Sequence, residues 1–305
     1  MKKWTIALVS AVLLAGLTAC TDSGNNGKTA DKPEAGQTNT DKGQNGNGQG
    51  NTESAVKGDP ASIKEAVQAS AEAKSFSLAM NIKQSMTQEA DLIDMDSRMK
   101  LDIIKQPFAM YQNVVMNIGG EEDTKFDAYM TDTEYFAHDL ITEDWTKMPK
   151  ESIAEIKATF SKMQTDPGAE LTKLTPYLSQ MKAEEKDGKR VYSVNLTGTG
   201  YETILDDLVK GLIGDRPDAD AILKTAKVQK LQYTATVDSA TKLPQQIHIL
   251  TDVVLTVDGK MIGLKQDIKA DYSGYNEVKP IAVPEEGRKN ALLPPTEEEL
   301  QDIQQ

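Results

Sequence analysis

Between Phe76 and Met130 the apolar residues fall at every second position, and they do so again between Leu231 and Tyr272. A period of two belongs to strands with one face buried and one face in water. In the first region Phe76, Leu78, Met80, Ile82 and Met86 share a phase. Met95, Met99, Leu101 and Ile103 follow, then Phe108, Met110, Val114, Met116 and Ile118, and after Gly119-Gly120 come Phe126, Ala128 and Met130. Short strands are expected from Tyr135 to His138 and near Trp145. The second region holds Leu231 to Val237, Ile247 to Val257 and Ile262 to Tyr272, with Asp258-Gly259 as the strongest hairpin signal. Alternation of this kind, apolar inside and polar outside, is the signature of antiparallel sheet.

Between the two regions the spacing becomes helical. Ile153, Ile156, Phe160 and Met163 fit one stripe. Leu171, Leu174, Leu178 and Met181 fit a second, interrupted by Pro176. A strand with Tyr192, Val194 and Leu196 follows Asp187-Gly188, and Ile204, Leu205, Leu208, Val209, Leu212 and Ile213 make a third stripe. A short helix is expected from Asp218 to Thr225. A first helix opens the folded region, with Asp59 as cap, Pro60 in the first turn and Ile63, Ala66, Val67 and Ala71 on one face. Helix, about six strands, helices, one strand, helices and three long strands imply an α+β fold. Its expected form is one curved antiparallel sheet, a half-barrel, with helices packed on the concave face.

The N-terminus sets the location. Met1-Lys2-Lys3 precedes an apolar run from Trp4 to Leu17, and Leu17-Thr18-Ala19-Cys20 is a lipobox. The run is too short for a good spanning helix and reads as a signal peptide, residues 1–19. Cys20 is the only cysteine of the 305 residues, so no internal disulfide can form. A diacylglyceryl group on Cys20 would hold the protein on the membrane, since each buried methylene contributes about 0.8 kcal/mol. The expected place is the outer, extracytoplasmic face of the cytoplasmic membrane of a Gram-positive cell. From Thr21 to Thr52 the only apolar side chains are Ala30 and Ala35, so residues 20–59 are expected to form a lipidated, disordered tether. One domain at 60–283 and an extended tail at 284–305 complete the division.

Loss of residues 1–19 leaves 32 basic against 47 acidic residues, a charge of −15. That disfavours nucleic acid and leaves membrane attachment to the lipid. Catalytic signals are weak. There is no Gly-x-Ser-x-Gly and no His-Glu-x-x-His, and the two histidines, His138 and His248, both sit in strand patterns. Asp91, Asp94 and Asp96, and Asp215, Asp218 and Asp220, lack the glycine and closing glutamate of a calcium loop. Gly198-x-Gly200 lacks the third glycine and the lysine of a phosphate loop. The reading is therefore non-catalytic, monomeric, and without metal or cofactor.

Lipobox, polar tether, opening helix, strand meander, helical insertion and final hairpin together resemble the LolA/LolB and LppX/LprG-like lipoproteins. Ala128-Tyr129-Met130-Thr131-Asp132-Thr133-Glu134-Tyr135-Phe136 and Asp144-Trp145-Thr146-Lys147-Met148-Pro149 look like the strand, turn, strand, Trp-x-Lys segment of uncharacterised Gram-positive lipoproteins of that shape. The resemblance spans about residues 60–280. It implies a half-barrel closed by helices, with an apolar cavity that holds acyl chains in some relatives.

Methionine is the informative excess: Met80, Met86, Met95, Met99, Met110, Met116 and Met130 all take the apolar phase. Methionine adapts to irregular apolar partners. The same placement serves plain core filling and the deformable wall of a lipid cavity. For the second use the candidate wall is Met80, Ile82, Met99, Leu101, Met110, Val114, Met116 and Met130, with helices at 151–181 and 201–213 as gates. The expected function is binding or carrying a lipid or acyl chain between sheet and helices. The alternative is a surface interaction or sensing module with a protein or envelope-polymer partner. A connected apolar tunnel would favour the first and a filled core the second.

Replacing Cys20 with Ala is expected to release the protein from the membrane fraction into the aqueous phase of a detergent partition. Its melting curve should not change, because the tether contributes no core. A Cys20→Ala protein that still enters the detergent phase would place the attachment elsewhere.

Overall fold

The computed structural model describes residues 56–57, 59–89, 91–162, 166–199, 201, 204–206, 208–209 and 217–294. Cys20, the signal and most of the tether lie outside this set, as do Met163, Leu212, Ile213 and Asp215.

The strands are β1 (Val56–Lys57), β2 (Ser75–Gln88), β3 (Asp91–Ile104), β4 (Ala109–Ile118), β5 (Thr124–Thr131), β6 (Tyr135–Asp139), β7 (Trp145–Lys147), β8 (Lys182–Lys186), β9 (Lys189–Gly198), β10 (Lys227–Asp238), β11 (Pro244–Val257) and β12 (Lys260–Ser273). All twelve form one antiparallel sheet in the order β1-β8-β9-β10-β11-β12-β2-β3-β4-β5-β6-β7. The sheet is curved and open, with β1 and β7 at its two edges. Two meanders build it, β2 to β7 and β8 to β12, and the pairing of β12 with β2 joins them from Ile262↔Gln88 to Tyr272↔Leu78 and Ser273↔Ser77. The Asp258-Gly259 hairpin forms as expected, both residues with positive φ.

Helices are few and short: α1 (Ile63–Glu72), α2 (Lys150–Lys162), α3 (Pro167–Thr172), α4 (Ala219–Leu223) and α5 (Glu285–Asn290), besides helical residues at 204–206 and 208–209. The architecture is mostly β rather than evenly α+β. The second stripe does not make one long helix. Pro176 leaves α3 followed by a 3-10 segment at Thr175–Gln180. Where one strand was expected there is a hairpin, because β8 alternates Ala183 against Lys182, Glu184 and Lys186 and carries almost no apolar signal.

Topology decides where the helices go. β7 ends one edge of the sheet and β8 lies beside the other, so residues 148–181 must cross from edge to edge. Ile153, Ile156, Leu171 and Leu174 are buried on the way and join one core with the inner side chains of the strands. Ile63, Ala66, Leu205 and Val209 enter the same core. α3 is clasped to α1. A Cβ on Gly168 would lie 3.0 Å from Ser70 Cβ. Asp166 accepts hydrogen bonds from the Gly168 and Ala169 N–H groups. Lys105 Nζ bridges the Ser70 carbonyl (2.8 Å) and Asp166 (3.1 Å).

The described part of the tail, residues 284–294, includes the short helix α5. Val283, Phe136 and Trp145 form a second small core on the opposite side of β5–β7. Leu292 pairs with Thr146 in a single parallel bridge, so this part of the tail lies along the β7 edge. Arg288 and Lys147 both donate to Glu134, at 3.0 and 3.1 Å. Burial raises the Glu134 pKa, but those two cations outweigh it and hold the carboxyl below its ordinary value. A depressed carboxyl contributes stability above its unfolded pKa and loses it as pH falls through the folded one. The clasp therefore loosens in acid.

Gly287 packs so closely that a Cβ would stand 2.5 Å from the Trp145 ring. Gly287→Val is expected to cost about 1–3 kcal/mol through overpacking. Trp145 is the only tryptophan outside the expected signal peptide, so lifting the tail should also redden the emission. A variant with unchanged melting and unchanged emission would show that the tail does not seat on Trp145.

Candidate functional site: a polar row beneath the helices

The eight residues expected as a cavity wall do come together. Cross-strand register aligns Met80↔Met99 and Met99↔Val114, Leu78↔Leu101, Ile103↔Met110 and Met110↔Met130, and Ile82 and Met116 each face Ser97. Seven of them are buried and Ile82 is partly buried against the same core. They pack as filled core on β2–β5. His138 stacks on Trp145 at 4.3 Å, and His248 pairs with Asp267 at 2.8 Å on the outer face. Asp94 accepts from Ser85, and Asp96 stands 3.9 Å from Lys83. Among the described residues no group of three or more His, Cys, Asp or Glu is placed to hold a metal ion.

A feature outside those expectations lies on β10–β12. The inward phase of β11 runs Ile247, Ile249, Thr251, Val253 and Leu255, that of β12 Leu264, Gln266, Ile268 and Ala270, and that of β2 Met80, Ile82, Gln84 and Met86. Each strand has one polar interruption, and register places the three side by side, Thr251↔Gln266 and Gln266↔Gln84. Gln266 Nε2 donates to Gln84 Oε1 at 2.5 Å. The result is a polar row crossing an apolar face.

Above the row, α3 lowers Glu170, which is 3 % exposed. Lys173, one turn on, donates to it at 2.7 Å. Glu170, Lys173, Tyr233, Thr251 and Gln266 share a cavity of about 20 Å³ with Ile204, Leu205, Leu231, Ile249 and Ile268. That is room for about one water molecule. Among the described residues the Tyr233 and Tyr272 hydroxyls are buried without a hydrogen-bond partner, and so are Ser97 Oγ and Gln112 Oε1. Burial first, and the Glu170 charge second, push both tyrosines well above their ordinary pKa. They keep their protons and remain donors.

A partly buried ion pair beside the Tyr233 phenol, with the Tyr272 phenol also within reach of the Glu170 charge, can recognise a small polar group and exclude bulk water. Sequence periodicity counted Tyr233 and Tyr272 as core and passed over Glu170. The interruptions at Thr251, Gln266 and Gln84 were the available signal, and only register shows that they align. On the outer face, a groove of about 400 Å³ runs past Lys83, Asp94, Asp96, Lys265 and Asp267.

The sequence profile of a family of unknown function, DUF6612, matches residues 61–292. The chain belongs to that family. The matched span ends at Leu292, where the tail pairs with β7, so the DUF6612 region takes in α5. None of the curated proteins matches the chain. Among solved structures, the chain is similar to a beta-barrel-like protein of a domain of unknown function, DUF1849, from Brucella abortus. The identity is 11 % over 65 % of this chain and 98 % of that one, with a TM-score of 0.19. It is also similar to a DUF1329 family protein from Desulfovibrio piger, 10 % identical over 75 % of this chain and 95 % of that one, with a TM-score of 0.24. Likenesses this distant add nothing to the reading of the site.

Lys173→Met removes the ammonium that stands 2.7 Å from the buried Glu170 carboxylate. It is expected to cost about 3 kcal/mol in denaturant unfolding, and removal of both charges (Glu170→Leu with Lys173→Met) to recover most of it. A single variant as stable as the parent would mean that the pair is solvated.

Proposed function

We propose that this is a non-catalytic, monomeric lipoprotein, anchored by diacylglyceryl Cys20 on the extracytoplasmic face of the cell membrane. Its interior accepts the apolar part of a lipid or acyl chain. On this reading the core face is the concave face of the sheet, and the crossing helices are its cover. The unpartnered Tyr233 and Tyr272 hydroxyls beside the polar row support it. An interior selected for packing alone would be apolar there, because each buried polar group without a partner costs about 1–3 kcal/mol. The filled core means that the cover must shift to admit a ligand. The acidic surface agrees with attachment through lipid rather than through charge, and gives nucleic acid no footing.

The same filled core favours a second reading, a surface interaction or sensing module. Its contact would be the outer groove, whose mixed charges suit a polar protein or envelope-polymer partner.

Native mass spectrometry of protein extracted from its own membranes separates the two. Ligand binding predicts adducts of lipid mass beyond the Cys20 modification, lost on denaturation. Adduct-free protein that also takes up no added acyl lipid would remove the first reading and leave the second.

A further inference from the structure

The groups beneath α3 define what such a ligand must carry, and this step rests on the ligand-binding reading above. Tyr233 and Tyr272 offer two buried O–H donors in need of acceptors. Tyr233 lines the cavity directly, together with the Glu170–Lys173 pair. Gln266, in the same cavity, already donates one amide hydrogen bond to Gln84. Ile204, Leu205, Leu231, Ile249 and Ile268 surround these groups, so the polar feature must be small and flanked by hydrocarbon.

Charge narrows the choice. Glu170 is 3 % exposed, and an anion brought beside its carboxylate would face repulsion with little water to screen it. A cation would compete with Lys173, which lies 2.7 Å from Glu170, and would leave the phenol donors unsatisfied. A neutral acceptor meets no such opposition. We propose that Tyr233, Tyr272 and the Glu170–Lys173 pair form a subsite for the ester linkage of a neutral acyl lipid, of which a monoacylglycerol is the simplest. The ester carbonyl accepts from the phenols, and the acyl chain runs over the apolar face toward the methionines of β2–β4. Both phenols keep their protons there, since burial and the Glu170 charge oppose ionisation.

The experiment titrates the full-length, lipid-modified protein with monooleoylglycerol and with oleate, reading bound mass by native mass spectrometry at neutral pH. Tyr233→Phe, Tyr272→Phe and the double variant go alongside, each with a thermal melt. The parent is expected to bind monooleoylglycerol about tenfold more tightly than oleate, and the double variant to lose about tenfold for the ester, the scale of one or two hydrogen bonds. The ligand-free variants should melt no lower than the parent, because each loses a buried hydroxyl without a partner; this separates recognition from misfolding. Equal binding of oleate, or undiminished ester binding by the double variant, overturns the subsite while leaving interior binding in place. Failure of the parent to bind either lipid overturns both readings.

Discussion

The pairing of β12 with β2 holds this molecule together. Twelve residue pairs, Ile262↔Gln88 through Ser273↔Ser77, connect a meander made early in the chain to one made late. Without it the sheet would fall into two smaller pieces. With it, β7 and β8 stand toward opposite sides of the sheet, and Ile153, Ile156, Leu171 and Leu174 from the segment between them are buried in the shared core. The stripes of apolar residues along that segment are what the crossing requires, and Gly168 against Ser70 lets α3 come down far enough to bring Glu170 to the strands.

The site depends on that same pairing. Thr251, Gln266 and Gln84 come from three strands, and only the β11–β12 and β12–β2 registers set them in line. A slip of one residue in either would turn part of the row to the solvent side. Buried polar groups in a low-dielectric interior are costly when half satisfied, and here two phenols remain without partners beside an ion pair. Departures from good packing practice of this kind concentrate at functional positions, which is why the row bears more weight in the account than the better-packed methionines.

Much of the fold was legible in the sequence because period two needs no tertiary information. Phe76 to Met130 and Leu231 to Tyr272 gave their strands, phases and final hairpin from spacing alone. β8 escaped because Ala183 is nearly its only inward apolar residue. The tail escaped because Gly287 and Trp145 are far apart in sequence and nothing local to either announces the contact. The second helical stripe does not give one helix, since Pro176 divides it into α3 and a 3-10 segment. The candidate wall was read at the correct phase, but phase cannot distinguish a wall from a filled core. The polar row was visible as interruptions at Thr251, Gln266 and Gln84, but one polar residue in an apolar phase is unremarkable until register puts three together.

The most direct measurement is a crystal structure of the protein purified from its native cells and never stripped of lipid. Continuous density is expected between α3 and β10–β12, with an acceptor atom within hydrogen-bonding distance of the Tyr233 hydroxyl and α3 displaced from Leu231 and Ile249. A core with Leu231 and Ile249 still packed beneath α3, and no density beyond ordered water at Tyr233, would contradict ligand binding in the interior.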